Sequence, residues 1–166
     1  MGRTLGAFGF AVTFLMDLAK GAVAAGGAVW LGLGPEAVVA SMVAVTVGHN
    51  WPFQLRFHGG KGIAVSLGAL LAYDPFSVLC LFAIFLPVLA VLRNFTLSGM
   101  LAFAVGPLAT FLCGQGKVEV AALSFLAILV LVSHRKNIRE EISRIAGSGP
   151  VKESLVQTHK GPNDEV

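Results

Sequence analysis

The sequence predicts an all-α, polytopic transmembrane bundle of about six helices, on three observations. Hydrophobic residues make up 55% of the 166-residue chain and charged residues only 13%, against roughly 25% charged in an ordinary soluble domain. The apolar residues come in long blocks rather than amphipathic stripes, which reads as membrane spans, and the mean hydropathy is +0.79. The period-two alternation of a membrane barrel is absent, so each block must satisfy its backbone amides internally, as a helix.

Taken in order, the first helix is expected over Leu5–Trp30. Arg3 followed by an apolar run is also how a secretory leader begins, but Asp17 and Lys20 interrupt the run and it continues well past them, so an uncleaved helix is expected. The second helix is expected over Ala37–Trp51 and the third over Gly62–Tyr73. The third is well short of the ~20 residues a span needs. It is therefore expected to start inside the preceding glycine loop or to pinch the bilayer locally. Three more follow, over Pro75–Leu92, Leu97–Cys113 and Val118–Ser133. Residues 1–146 form the bundle in this reading, and residues 147–166, rich in Gly, Pro, Ser and charge, form a disordered cytoplasmic tail.

Charge placement supports the count of six. With an inside start, the inner face holds Arg3, Arg56, Lys61, Arg93, Arg135, Lys136, Arg139 and Arg144, and the outer loops hold Glu36, Asp74, Lys117 and Glu119. That is the positive-inside pattern. Dropping the third helix would move Arg93 and the basic tail outside. Cys80 and Cys113 fall within spans, which gives a disulfide framework no support and leaves them as packing residues.

The polar clusters gather on the inner face: Gly48–Gly62, "LRNFTLS" from Leu92 to Ser98, and "SHRKNIRE" from Ser133 to Glu140. In the first, Gly59, Gly60 and Gly62 permit close backbone approach, the amides opening the next helix point outward, and Lys61 adds positive charge. That chemistry suits a phosphate, although a tight basic turn at the membrane surface reads equally well, since the spacing is not that of a Walker loop. His49 and His134 could each cap a helix or snorkel. Together on one face beside Asn50, Lys61 and Asn137 they favour proton transfer or oxyanion contact. A metal is disfavoured, because the inner face offers only Glu140 and Glu141 as carboxylates and no cysteine at ligand spacing. Asp17 and Lys20, at i,i+3 on one helix face, read first as a buried self-neutralising pair, because Lys20 lies several turns from Arg3 and so deep from the inner face; the second reading adds Lys20 to the anion site.

"GHNWPFQLRFHGGKGIAVSLG" resembles the central motif of the bacterial membrane glycerol-3-phosphate acyltransferases that use acyl phosphate as donor, the PlsY type. "SHRKNI" resembles the start of that family's third motif, "RTLG" at Arg3–Gly6 the tail of its first, and Asp17 with Lys20-Gly21 its next helix. The resemblance runs from Arg3 to about Ile145 and implies transfer of an acyl group from acyl phosphate to the 1-hydroxyl of glycerol 3-phosphate. Lysophosphatidate and phosphate would be the products. It further implies a bacterial inner-membrane location with the active face cytoplasmic, membrane lipid as surroundings, no organic cofactor and no metal; nucleic acid is not an expected partner, and no oligomeric state is specified. By the same resemblance Lys61, Arg56 and the backbone of Gly59, Gly60 and Gly62 hold phosphate, while His49, His134 and Asn137 position the hydroxyl or stabilise the oxyanion. The family's N-terminal helix and first Gly-Ser-Gly-Asn loop have no counterpart here. A truncated or diverged inactive relative is thus the alternative expectation, with a small channel behind it.

Overall fold

The computed structural model describes residues 2–57 and 59–135. Among the described residues the elements are α1 (Gly2–Trp30), α2 (Pro35–Asn50), a 3₁₀ turn (Phe53–Leu55), α3 (Ile63–Tyr73), α4 (Pro75–Leu92), α5 (Phe95–Leu112) and α6 (Lys117–Ser133). The chain is all-α, as its blocks of apolar residues require. One compact unit covers residues 1–133; His134 and Arg135 are the described residues of a second unit.

The helix ends follow local chemistry. At Gly6 the backbone leaves helical geometry (φ 68°, ψ −170°), so the continuous part of α1 begins after it. α2 starts at Pro35, two residues before the expected Ala37, because a proline at the first helical position needs no amide partner. Asn94 starts α5 two residues early by accepting a hydrogen bond from the Leu97 amide at 3.2 Å. Asp74, read from sequence as an outer loop charge, is buried and caps α4 instead: its carboxylate accepts from the Ser77 amide (3.4 Å), the Ser77 hydroxyl and Gln115 Nε2 (3.1 Å).

Among the described residues three helices are long and apolar enough to cross a membrane: Phe8–Trp30, Pro75–Leu92 and Phe95–Leu112. Their outward faces carry Phe8, Val23, Leu79, Val91 and Leu112, all largely exposed. Apolar exposure on this scale belongs to a membrane protein. α3, at 11 residues, rises only about 16 Å and is the most enclosed element, with Val65, Ser66, Gly68, Ala69 and Leu70 buried. Its place depends on α1. A Cβ on Gly21 would overlap the Val65 carbonyl oxygen, and one on Gly68 would overlap the Leu18 carbonyl oxygen. This reciprocal pair lets the two backbones touch, as small residues do between helices in lipid.

Two polar ends result. At one, the Gln115–Asp74 bond and a Tyr73 hydroxyl donating to Glu119 (3.4 Å) tie the α3–α4 turn to the α5–α6 turn. At the other, Asn50 Nδ2 donates to Ser133 Oγ (2.7 Å), joining the ends of α2 and α6. Between them lies a core of Met42, Leu70, Leu123, Leu126 and Val130. Cys80 and Cys113 are free thiols.

Candidate functional site

The site is built at the α2–α3 connection. After Asn50 the chain makes the 3₁₀ turn, passes Arg56 and Phe57 in left-handed conformation (φ 50° and 63°), and folds back on the helix it has just left. The Gly59 amide donates to the Asn50 carbonyl (3.1 Å) and the Gly60 amide to the His49 carbonyl (3.0 Å). These bonds press the glycine segment flat against the end of α2. A Cβ on Gly60 would overlap the His49 imidazole at Nε2. Gly62 has φ 78° and caps α3, its carbonyl accepting from the Ser66 amide; glycine adopts that backbone at the least cost. The amides of the first turn of α3 therefore open beside Lys61, a pairing of dipole and charge that favours an anion.

His49 has a second partner from a distant part of the chain. Its Nδ1 lies 3.4 Å from Asp17 Oδ1, and the same carboxylate oxygen is 3.9 Å from Lys20 Nζ. The expected Asp17–Lys20 pair is therefore present but not exclusive: the nearer partner of Asp17 is the histidine, and the lysine side chain is 56% exposed rather than buried. A carboxylate at Nδ1 favours the tautomer protonated there, which leaves Nε2, on the Gly60 side, as a proton acceptor. Beneath this level Thr46 and Ser66 pair at 3.5 Å between α2 and α3.

The expected site residues divide clearly. His49, Gly59, Gly60, Lys61 and Gly62 come together, with Gly62 buried and Lys61 exposed. Arg56 stands on the exposed turn. His134 is buried and directly follows Ser133 in the chain, and it belongs to the second unit. Asn137 lies outside the described residues, as do Glu140 and Glu141. Among the described residues no group of three or more His, Cys, Asp or Glu side chains is placed to hold a metal ion.

An apolar cavity of about 470 Å³ was not expected from the sequence. It opens between α1, α3, α4 and α5, and Phe10, Phe14, Ile63, Leu67, Phe85 and Phe95 are among its walls. Phe95 stacks edge-on against both Phe10 (6.1 Å) and Phe85 (5.3 Å), which holds the walls in register. Ile63 is the residue after Gly62, so one peptide bond separates the oily wall from the anion-suited turn.

Residues 1–144 match the family model described as glycerol-3-phosphate acyltransferase. The chain is 39% identical over 143 residues to glycerol-3-phosphate acyltransferase 1 of Desulfitobacterium hafniense (strain Y51), covering 86% of this chain and 71% of that protein. It is 37% identical over 134 residues to the glycerol-3-phosphate acyltransferase of Sinorhizobium fredii (strain NBRC 101917 / NGR234), covering 80% and 64%. The chain thus spans about two thirds of the length of these relatives. Crystal structures of PlsY (YgiH), an integral membrane glycerol 3-phosphate acyltransferase, superpose with a TM-score of 0.77 at 27% identity. The glycerol 3-phosphate form is matched over 86% of this chain and 72% of that one, and the lysophosphatidic acid form over 86% and 73%.

Proposed function

The chain belongs to the glycerol-3-phosphate acyltransferase family, and from that premise we propose that it moves an acyl group from acyl phosphate to the 1-hydroxyl of glycerol 3-phosphate at the cytoplasmic face of a bacterial inner membrane. The observation that carries this reading is the junction at Gly62–Ile63, where an apolar cavity sized for a small-molecule ligand abuts a glycine turn suited to phosphate. An acyl phosphate has that same division, an oily chain ending in a charged mixed anhydride.

In this reading the acyl chain lies along Phe14, Leu67 and Phe85 and brings its mixed anhydride to the Gly62–Ile63 junction, while Lys61, Arg56 and the first-turn amides of α3 hold the phosphate of glycerol 3-phosphate. His49, held by Asp17, takes the proton of the attacking hydroxyl on Nε2. The hydroxyl oxygen bonds to the acyl carbon, the bond from that carbon to the phosphate oxygen breaks, and inorganic phosphate leaves with the electron pair. Lysophosphatidate is the second product. The donor is already activated, so no organic cofactor is called for. His134 and Asn137 are assigned to orienting the hydroxyl and stabilising the oxyanion by their places in the motif. A channel has less support, because Asp17, the acidic residue within α1, is engaged with His49.

At the helical rise, Asp17 lies about 20 Å from Trp30 at the end of α1, and His49 about 21 Å from Pro35 at the start of α2. The two residues are thus level on neighbouring helices, which lets them meet. The test is to supply the purified chain, in detergent, with palmitoyl phosphate and glycerol 3-phosphate. Lysophosphatidate and inorganic phosphate should appear in equal amounts. Product formed from acyl thioester but not from acyl phosphate would overturn the choice of donor.

A further inference from the structure

Asn50 is 3% exposed, and its two amide atoms have different fates. Nδ2 donates to Ser133 Oγ at 2.7 Å, and that hydroxyl donates its own proton to the Leu129 carbonyl at 2.8 Å. Because the serine proton is committed, only the NH₂ of Asn50 can face it, so the orientation of the amide is determined by the network. Oδ1 is then turned the other way. It is buried and, among the described residues, has no hydrogen-bond partner. A Cβ on Gly62 would lie 2.6 Å from it, so this oxygen sits directly behind the turn that opens α3.

A buried acceptor without a donor is rare and costly. The surroundings define what would satisfy it. Lys61 and the α3 amides attract an anion, whereas a carbonyl oxygen repels one and accepts an O–H. A ligand meeting both demands carries an anionic group and, a few bonds away, a hydroxyl.

Building on the acyl-transfer reading, we propose that Asn50 Oδ1 accepts the secondary hydroxyl of glycerol 3-phosphate and thereby selects the polyol phosphate over a hydroxyalkyl phosphate lacking that group. The phosphate occupies the α3 turn, the 1-hydroxyl is consumed in the reaction, and the 2-hydroxyl is the donor that remains. A site built to hydrogen-bond a hydroxyl discriminates strongly against the analogue without it, because its own polar group stays unpaired.

The experiment compares glycerol 3-phosphate with 3-hydroxypropyl phosphate, which keeps the nucleophile and lacks the 2-hydroxyl. Both are offered to the wild type, Asn50→Leu, Asn50→Ala and Ser133→Ala. The wild type should favour glycerol 3-phosphate by roughly 10- to 100-fold in kcat/KM. Either Asn50 substitution should bring the ratio near one, and Ser133→Ala, which removes the group that orients the amide, should lower it by a smaller factor. A residue that only held the fold would lower both substrates alike. A wild type without preference overturns the proposal with no variant needed, and so does an Asn50→Ala protein that keeps the wild-type ratio. Equilibrium binding of the two phosphates gives the same comparison independently of turnover. Selective binding without acyl transfer would therefore refute the reaction and leave the selectivity standing.

Discussion

Asp17 and His49 meet across the α1–α2 interface, carboxylate Oδ1 to imidazole Nδ1 at 3.4 Å, and the far side of the same ring lies against Gly60. The histidine is thus gripped on one edge by an acid and presented on the other to the glycine turn. Neither contact alone would orient it.

Replacing His49 with alanine should lower kcat by roughly 10²-fold or more, the usual scale for a positioned acid–base group. Asp17→Asn should lower kcat by a smaller factor with KM for glycerol 3-phosphate little changed, because the ring stays in place while its tautomer is no longer enforced. Steady-state kinetics on detergent-purified protein separate the two. An Asp17→Asn enzyme with wild-type kcat would reduce the acid to a packing role.

The helices were legible because each is an apolar block; α2 and α5 start two residues early where a proline and a capping side chain govern, and α1 runs from Gly2 rather than Leu5, with non-helical backbone at Gly6. The glycine turn and His49 stood out as polar residues between oily ones. The second partner of Asp17 was missed because spacing within α1 pairs it only with Lys20. Counted instead from the α1–α2 turn, Asp17 and His49 are level, a comparison the sequence already permitted. The apolar cavity was invisible, since its walls come from four helices with no common spacing, and nothing local to Asn50 or Ser133 announces that they meet.

Two substitutions in the turn should fail by different physics. Lys61→Ala removes an exposed charge and leaves the fold of the turn, so binding of glycerol 3-phosphate should weaken roughly 10- to 150-fold if the contact is charge-assisted, and the loss should shrink as salt screens the wild type. Gly60→Val puts a branched side chain where the His49 ring lies, so binding should disappear at every ionic strength. Titration calorimetry across a salt series is the measurement. Equal salt dependence in wild type and Lys61→Ala would remove the lysine from the phosphate site.

Membrane orientation is checked by fusions. Reporters at Gly34 and Gly116, in the α1–α2 and α5–α6 turns, should read outside, and reporters at His58 and Gly149 inside, as the basic residues near the glycine turn require. An inside signal at Gly116 would contradict the six-helix topology.

The cavity yields the last prediction. Gly99 lines it from α5, and a Cβ there would meet only the Ile63 side chain at 3.4 Å, an ordinary contact. Gly99→Leu should therefore fold, yet its branched side chain would occupy space beside Ile63 that the acyl chain uses. Because the anion turn is untouched, KM for glycerol 3-phosphate should stay within about twofold, well under the tenfold that 1.4 kcal/mol would produce. Long acyl phosphates should lose kcat/KM while short ones keep it, since each buried methylene excluded forfeits about 0.8 kcal/mol of transfer free energy. Rates measured across a series of acyl phosphates from eight to eighteen carbons would show the crossover. A Gly99→Leu enzyme whose chain-length profile matches the wild type would place the acyl chain somewhere other than this cavity.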